Sequence, residues 1–349
     1  MVGALKRVAH ARLSEWSAAC LGAAGVPRDD AQVVADALVQ TSLWGIDSHG
    51  VLRLTHYLDR LHRGSIRADA PGCIEDSGPC TANMDGGHGL GILHCRRAME
   101  HAMQLARANG VGVVGVRHSS HCGAVGLYAR QAAAAGLVGL AFTHASSIVV
   151  PHGGRRGYFG TNPIAIAFPR GDDPLCLDMA TSQVAWNKVV NARAEQKPLS
   201  PGLTVDGEGR PTTDPQLAQA LVPLGGAEYG YKGYGLAMMI DLLSGALNGM
   251  AFGPRLTRMY EDLDQSQDLG HFVLALDPQR FAGGPALEAT VRTMCEDVVR
   301  AGDAVQVPGD PELRAERERR AHGIPIEPQG LADMQDWSAR VGVEFPEVM

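Results

Sequence analysis

The stretch Gly110-Val-Gly112-Val-Val-Gly115-Val-Arg-His118-Ser-Ser-His121-Cys-Gly123 decides which fold class this chain can adopt. Its first six residues match G-x-G-x-x-G letter for letter. The dinucleotide fingerprint of a doubly wound sheet needs those glycines after a strand and opening a helix, with an acidic residue about 20 positions on. Here the order is reversed. Leu90–Ala108, with helical periodicity, precedes the glycines, which sit among valines in what reads as a strand, Val111–Val116. No Asp or Glu occurs between Gly115 and Asp172. The match is rejected as a Rossmann site, and the glycines are expected where a strand packs closely on a neighbour. A G-x-x-x-x-G-K-[ST] phosphate loop is also missing.

Outward from this strand the pattern alternates. Upstream, residues from about Ser14 to Leu61 read as three helices, the second being Asp29–Leu43 behind Pro27. A loop, Pro71–Pro79, and a strand near Cys80–Met84 follow. Downstream come a helix, Ala124–Ala135, a strand, Leu137–Phe142, a glycine-rich loop, His152–Gly160, and a strand, Ile164–Phe168. A helix around Val184–Ala194 leads to the polar, turn-like connection Pro198–Pro215. Tyr234–Asn248 reads as a strongly apolar, buried helix, followed by a strand near Phe272–Leu276 and a charged helix, Pro311–His322. The alternation predicts an α/β or α+β fold.

The 349 residues allow one large domain or two. A hydrophobic content of 45 %, a charged content of 20 % and a net charge of −7 describe an ordinary globule. Nothing in that balance asks for nucleic acid or an anionic membrane. No apolar run is long enough to span a bilayer, and the first residues lack the apolar core of a secretory signal. The seven cysteines are scattered, odd in number and without C-x-x-C, which fits reduced thiols; a cytoplasmic protein is expected.

Two stretches carry chemistry. His118-Ser-Ser-His121-Cys122 follows a strand and precedes a helix, a junction where side chains and free N–H groups converge on ligands. His-x-x-His beside a cysteine could ligate zinc, but no third ligand sits at a recognisable spacing, so no metal is expected. A proton-handling histidine and a purely structural one both remain open. In Gly45-Ile-Asp-Ser48-His49-Gly-Val-Leu-Arg53-Leu-Thr-His-Tyr57, His49, Arg53 and Tyr57 recur every fourth residue. If Val51 onward is helical, one face carries a proton carrier, a carboxylate fork and a hydroxyl, unless it is merely a solvated face.

These stretches belong to a longer collinear series: D47-S-H-G-V-L-R53, S119-S-H-C-G123, V150-P-H-G-G154, G160-T-N-P163, L177-D-M-A-T-S182, T212-T-D-P215, G230-Y-K-G-Y-G235 and V307-P-G-D310. The series resembles the malate/L-lactate dehydrogenase family of NAD(P)-dependent oxidoreductases, which is unrelated to the Rossmann-type enzymes of similar name. Within it, A185-W-N-K-V-V-N-A-R193, M238-M-I-D-L-L-S-G245 and Met259–Leu263 are most similar to ureidoglycolate dehydrogenases. Asn187-Lys188 and His144-Ala145 depart from the usual pattern. The resemblance implies a helical substrate and dimerisation domain from both chain ends, residues 1–75 with 305–349. It also implies a central non-Rossmann cofactor domain, residues 76–304, with a largely antiparallel sheet, and a homodimer.

It further implies hydride transfer between NAD, or NADP, and a small 2-hydroxy or 2-keto acid resembling ureidoglycolate, malate, lactate or sulfolactate. The alternative is NADPH-dependent reduction of a cyclic imino acid such as piperideine-2-carboxylate. His121 is the first choice as proton carrier and His49 the second. Arg53 would clamp the substrate carboxylate, because its fork bonds both oxygens at once. Ser48, Tyr57 and Thr161 would orient the substrate. Ser120, Ala145, Gly160, Asn162, Asp178, Met179, Ala180, Lys232, Pro308 and Gly309 are the residues expected beside the cofactor.

Overall fold

Apolar residues at spacings of three and four give α2 its buried stripe of Ala31, Val34, Ala35, Leu38 and Val39, and the neighbouring helices pack on it. In the computed structural model, which describes residues 5–349, the chain begins with β1 (Lys6–Val8), α1 (His10–Ala23), α2 (Arg28–Leu43) and α3 (Leu54–His62). Next come β2 (Cys73–Gly78), β3 (Thr81–Asp85), α4 (Gly91–Asn109), β4 (Val111–Ser119), α5 (Gly126–Ala134), β5 (Val138–Thr143), β6 (Ile164–Phe168) and β7 (Leu175–Met179). After α6 (Trp186–Glu195) lie the short strands β8 (Thr204–Val205), β9 (Pro211–Thr212) and β10 (Ala220–Leu221). The chain ends with α7 (Gly226–Ser244), β11 (Leu269–Leu276), α8 (Gly284–Val299), α9 (Asp310–His322), β12 (Ile324–Ile326) and α10 (Pro328–Val341).

A seven-stranded sheet runs in the order β2-β3-β4-β11-β5-β6-β7. Every neighbouring pair is antiparallel except β3 with β4, so the mixed, largely antiparallel α/β architecture expected from the sequence is what forms. The glycines of the opening stretch have structural causes. Gly110 caps α4 at φ 95°. A β-carbon on Gly112 would press into the carbonyl of Ala102, where α4 lies directly on β4. Alanines at 98, 102, 129 and 132 let α4 and α5 sit this close to the sheet, where they share a core with Met99, Val114, Val116, Tyr128 and Val273.

The other large core joins the two ends of the chain. Val8, Leu13, Trp16, Leu38, Leu54 and Leu58 pack with Ile324, Ile326, Leu331 and Met334. β1 pairs with β12, and the Trp16 indole donates to Ser338 Oγ at 2.8 Å. Burying each such large side chain contributes roughly 1.5–3 kcal/mol, so residues more than 300 apart are held as one unit.

Three expectations are corrected. Pro71–Pro79 is not a loop: it contains β2, an edge strand exposed along most of its length, with only Ile74 packed on the core, and so leaves no alternating signal. The apolar helix expected at Tyr234–Asn248 starts earlier, at Gly226, and is buried along one side only: Ala237, Ile240 and Ser244 are buried, whereas Tyr231 is 53 %, Met239 50 % and Leu242 44 % exposed. The connection Pro198–Pro215 carries β8 and β9, which join β10 in a small sheet.

Candidate active site

The Asp47–Arg53 segment is two 3-10 turns, Asp47–His49 and Val51–Arg53, rather than the helix expected from Val51 onward; α3 starts at Leu54. Both turns are pinned. Arg319 of α9 forks onto Asp47 at 2.5 and 2.9 Å and onto the carbonyl of Ser42 at 2.6 Å. The Val51 N–H donates to Ser42 Oγ at 2.9 Å. α9, near the end of the chain, thus fixes the Asp47–Arg53 segment near its start. Ser48 Oγ lies 2.8 Å from His49 Nδ1, and Arg53 Nε donates to the Ser48 carbonyl at 2.6 Å. The Arg53 guanidinium also stacks over Tyr260, 5.5 Å from the ring centre.

β4 delivers the second histidine. His121 follows the end of that strand, and its N–H donates to Gln267 Oε1 at 2.9 Å. Its ring stacks on that of His49 with centres 5.4 Å apart and planes 27° apart. Tyr57 of α3, fully buried behind His121, places its hydroxyl 2.6 Å from His121 Nδ1. Two segments far apart in sequence therefore supply one imidazole–guanidinium–imidazole set, backed by a phenol. His118 does not join it; its Nδ1 turns to Asp85, 3.0 Å away.

The electrostatics suit a proton acceptor. Burial, with the positive charge of Arg53, pushes His49 down to about 4. Burial pushes His121 well below the usual histidine range, with further help from His49 and Arg53. Both rings are neutral near pH 7 and can accept a proton. Burial raises Tyr57 far above the ordinary phenol range, so its hydroxyl keeps its hydrogen. Burial also raises Asp178 to about 6, while its Oδ2 accepts the Gly126 N–H at the start of α5 at 2.9 Å.

Ser48, His49, Arg53 and His121 line a cavity of about 1310 Å³. Ala145, Thr161, Asp178, Met179, Ala180, Arg155, Arg156, Trp186 and Asn187 line the same cavity. Small-ligand pockets are typically 300–1,000 Å³, so there is room here for an extended molecule beside a small one. Arg155, Arg156, Arg193 and Arg258 bring positive charge to the lining, Arg193 with its guanidinium bonded to the carbonyls of Pro215 and Ala218 at 2.7 Å each.

Several residues picked from sequence stand outside the lining. Ser120 Oγ is occupied by the Gly91 N–H at 3.0 Å and the Gly89 carbonyl at 2.9 Å. Asn162 is buried and brackets the wall: it accepts the Ala145 N–H at 3.1 Å and donates to Ala237 O at 3.0 Å and Asp241 Oδ2 at 3.1 Å. Gly160 packs on Ala145 from behind, and Gly309 packs on Cys176, whose N–H donates to the Pro308 carbonyl at 3.2 Å. Lys232 is exposed on α7 between the rings of Tyr229 and Tyr231.

The sequence does not reveal that the loop between the 3-10 turn Gly253–Arg255 and β11 contributes to the site. Leu256, Arg258, Met259 and Tyr260 line the cavity. Arg60, fully buried on α3, holds that loop by donating to Met259 O at 2.8 Å and Gln265 O at 2.9 Å. The Met259–Leu263 resemblance marked the stretch but not its place, because its anchors are main-chain carbonyls.

The malate/L-lactate dehydrogenase family model matches residues 8–335. The chain is 38 % identical over 309 residues to ureidoglycolate dehydrogenase (NAD(+)) of Escherichia coli O157:H7, covering 87 % of each chain. It is 39 % identical to (2R)-3-sulfolactate dehydrogenase (NADP(+)) of Chromohalobacter salexigens, covering 90 % of this chain and 92 % of that one. The structure of malate dehydrogenase from Pyrococcus horikoshii OT3 superposes with a TM-score of 0.88 at 34 % identity, covering 97 % of this chain and 96 % of that one.

Proposed function

The chain belongs to the malate/L-lactate dehydrogenase family, and from that membership we propose that it oxidises a small 2-hydroxy acid, or reduces the 2-keto acid, with NAD or NADP. The observation that carries this reading is the stacked pair His49–His121 with Arg53 in the lining of a cavity with room for a dinucleotide. Arg53 is held by Ser48 O and Tyr260, leaving its terminal nitrogens to fork onto the substrate carboxylate. His121 then takes the hydroxyl proton during oxidation and returns one during reduction.

Tyr57 keeps the His121 ring in place from behind: its hydroxyl bridges Nδ1 and the residue's own carbonyl, 3.3 Å away. The Gly123 N–H donates to the same Nδ1 at 3.3 Å, so the ring is oriented from two sides and Nε2 is the atom left for the substrate. His49, tied to Ser48, is the second proton carrier within reach. When bound, the nicotinamide ring supplies the hydride chemistry. Ala145, Thr161, Met179 and Ala180 would form its wall, and Arg155 and Arg156 would meet its phosphates. Asn162, Ser120, Gly160, Pro308 and Gly309 act through the walls they brace.

The exposed apolar side of α7, with Met238, Met239 and Leu242, fits a face covered by a second copy in a homodimer. The two units, residues 1–75 with 305–349 and residues 76–304, would divide substrate and dimer contacts from cofactor contacts. No helix among the described residues is long and apolar enough to cross a membrane, and a cytoplasmic site of action is part of the same reading. The test is a panel of ureidoglycolate, malate, lactate, sulfolactate and the cyclic imine piperideine-2-carboxylate, each with both dinucleotides, read by the absorbance of reduced nicotinamide. Turnover of at least one 2-hydroxy acid is expected. Turnover of the imine alone, or of nothing, refutes the proposal.

A further inference from the structure

Behind His121, three side chains from three elements converge: Cys95 of α4, Cys122 after β4 and His271 of β11. Their two sulfurs and a ring nitrogen lie within 4.8 Å of one another, and the residues are 1 %, 2 % and 0 % exposed. Thr143 Oγ1 lies 2.7 Å from His271 Nδ1 and 3.1 and 3.2 Å from the carbonyls of His144 and Gly270. With Nδ1 engaged by Thr143, Nε2 is buried and has no hydrogen-bond partner among the described residues. A ring tied at one nitrogen with the other left free is how protein histidines are held for a metal.

We propose that Cys95, Cys122 and His271 form a structural site for one zinc ion. Two thiolates and a neutral imidazole are zinc's preferred donors, whereas magnesium and calcium require oxygen. Two negative sulfurs also balance the ion's charge, which removes the main cost of placing it in a buried setting. Binding breaks two S–H bonds, forms two Zn–S bonds and one Zn–N bond, and releases two protons to solvent. A small ligand such as water completes the tetrahedron. The ion would fasten α4 and β11 to the loop that carries His121. A hydrogen bond from the Tyr128 hydroxyl to the Cys122 carbonyl already fixes that loop from the other side. The residues are spread over the chain, so no ligand spacing announces them.

The test uses the full chain and does not depend on activity. Zinc is measured by mass spectrometry on protein purified without chelator, where close to one ion per chain is expected. Cys122→Ala and His271→Gln should each reduce it to background. Because either variant could misfold, the wild-type chain is also stripped under reducing conditions and titrated with cobalt(II). A thiolate-to-cobalt charge-transfer band that saturates at one equivalent and is abolished by zinc supports the site. Zinc at background in the wild type together with no cobalt band overturns it. A band that survives in a folded Cys95→Ala, Cys122→Ala double variant overturns it too, by placing the metal elsewhere.

Discussion

Replacing Arg53 with methionine separates substrate binding from chemistry. The shorter side chain keeps an unbranched apolar stem but loses the guanidinium that Ser48 O and Tyr260 hold toward the cavity. A hydrogen bond to a charged partner is worth about 1.5–3 kcal/mol. At 1.4 kcal/mol per factor of ten, losing one such bond lowers kcat/KM for the acid by about 10- to 150-fold, and losing the second bond of the fork lowers it further. Carboxylate clamping acts on ground state and transition state alike, so most of the loss should enter through KM. Steady-state kinetics with the acid varied at saturating dinucleotide, and the reverse, give the split. KM for the dinucleotide should move by less than about threefold, since uniform binding of the acid alone is removed. Arg53→Lys keeps the charge without the planar fork and should recover only part of the loss. If KM for the acid stays put while kcat collapses, Arg53 does not hold the carboxylate and the substrate pose proposed here is wrong.

His121→Ala should lower kcat by about 10²–10⁴-fold, the usual range for removing a general acid–base, and His49→Ala by less; the opposite ranking exchanges their roles. Burial holds His49 at about 4 and His56 at about 3, against 6.5 in the unfolded chain, so the unfolded state takes up protons first as pH falls. Stability should thus be lost between pH 6.5 and the folded values, seen as a falling urea midpoint; a midpoint that is flat across this window contradicts the burial of these rings. Gly112→Ala overpacks the contact between β4 and α4 and should cost about 1–3 kcal/mol in denaturant melts with KM for the dinucleotide unchanged, whereas a phosphate-contacting glycine would show the reverse. Glutamates at Met239 and Leu242 should convert a dimer to monomer in sedimentation; an unaltered dimer would mean that its interface lies away from the exposed side of α7.

What could be read without the structure was local. Helical spacing in α2 and α4, the valine-rich β4 and the collinear motifs each involve residues that constrain their own neighbours. β2 escaped because an edge strand with a single residue, Ile74, packed on the core has no alternation to detect. The exposure of α7 escaped because an apolar helix looks the same whether the fold or a second chain covers it. Cys95, Cys122 and His271 escaped because β11 enters the sheet between β4 and β5, a pairing that no residue near either strand foretells.

The candidate site shows why such gaps fall where they do. Its candidate reacting groups are legible as side chains because imidazole and guanidinium have chemistry of their own. Much of the machinery that aims them consists of bonds to main-chain atoms: Arg60 to the carbonyls of Met259 and Gln265, Gln267 to the His121 N–H, and Asn162 to the Ala145 N–H. A carbonyl or an N–H is the same at every residue, so only one partner of each bond leaves a letter in the sequence. The same reasoning explains the opening stretch. Glycine records that backbone must come close to something, but not what it approaches. At Gly112 the something is the carbonyl of Ala102 on α4, and the fingerprint's letters arise from helix-on-strand packing without any pyrophosphate.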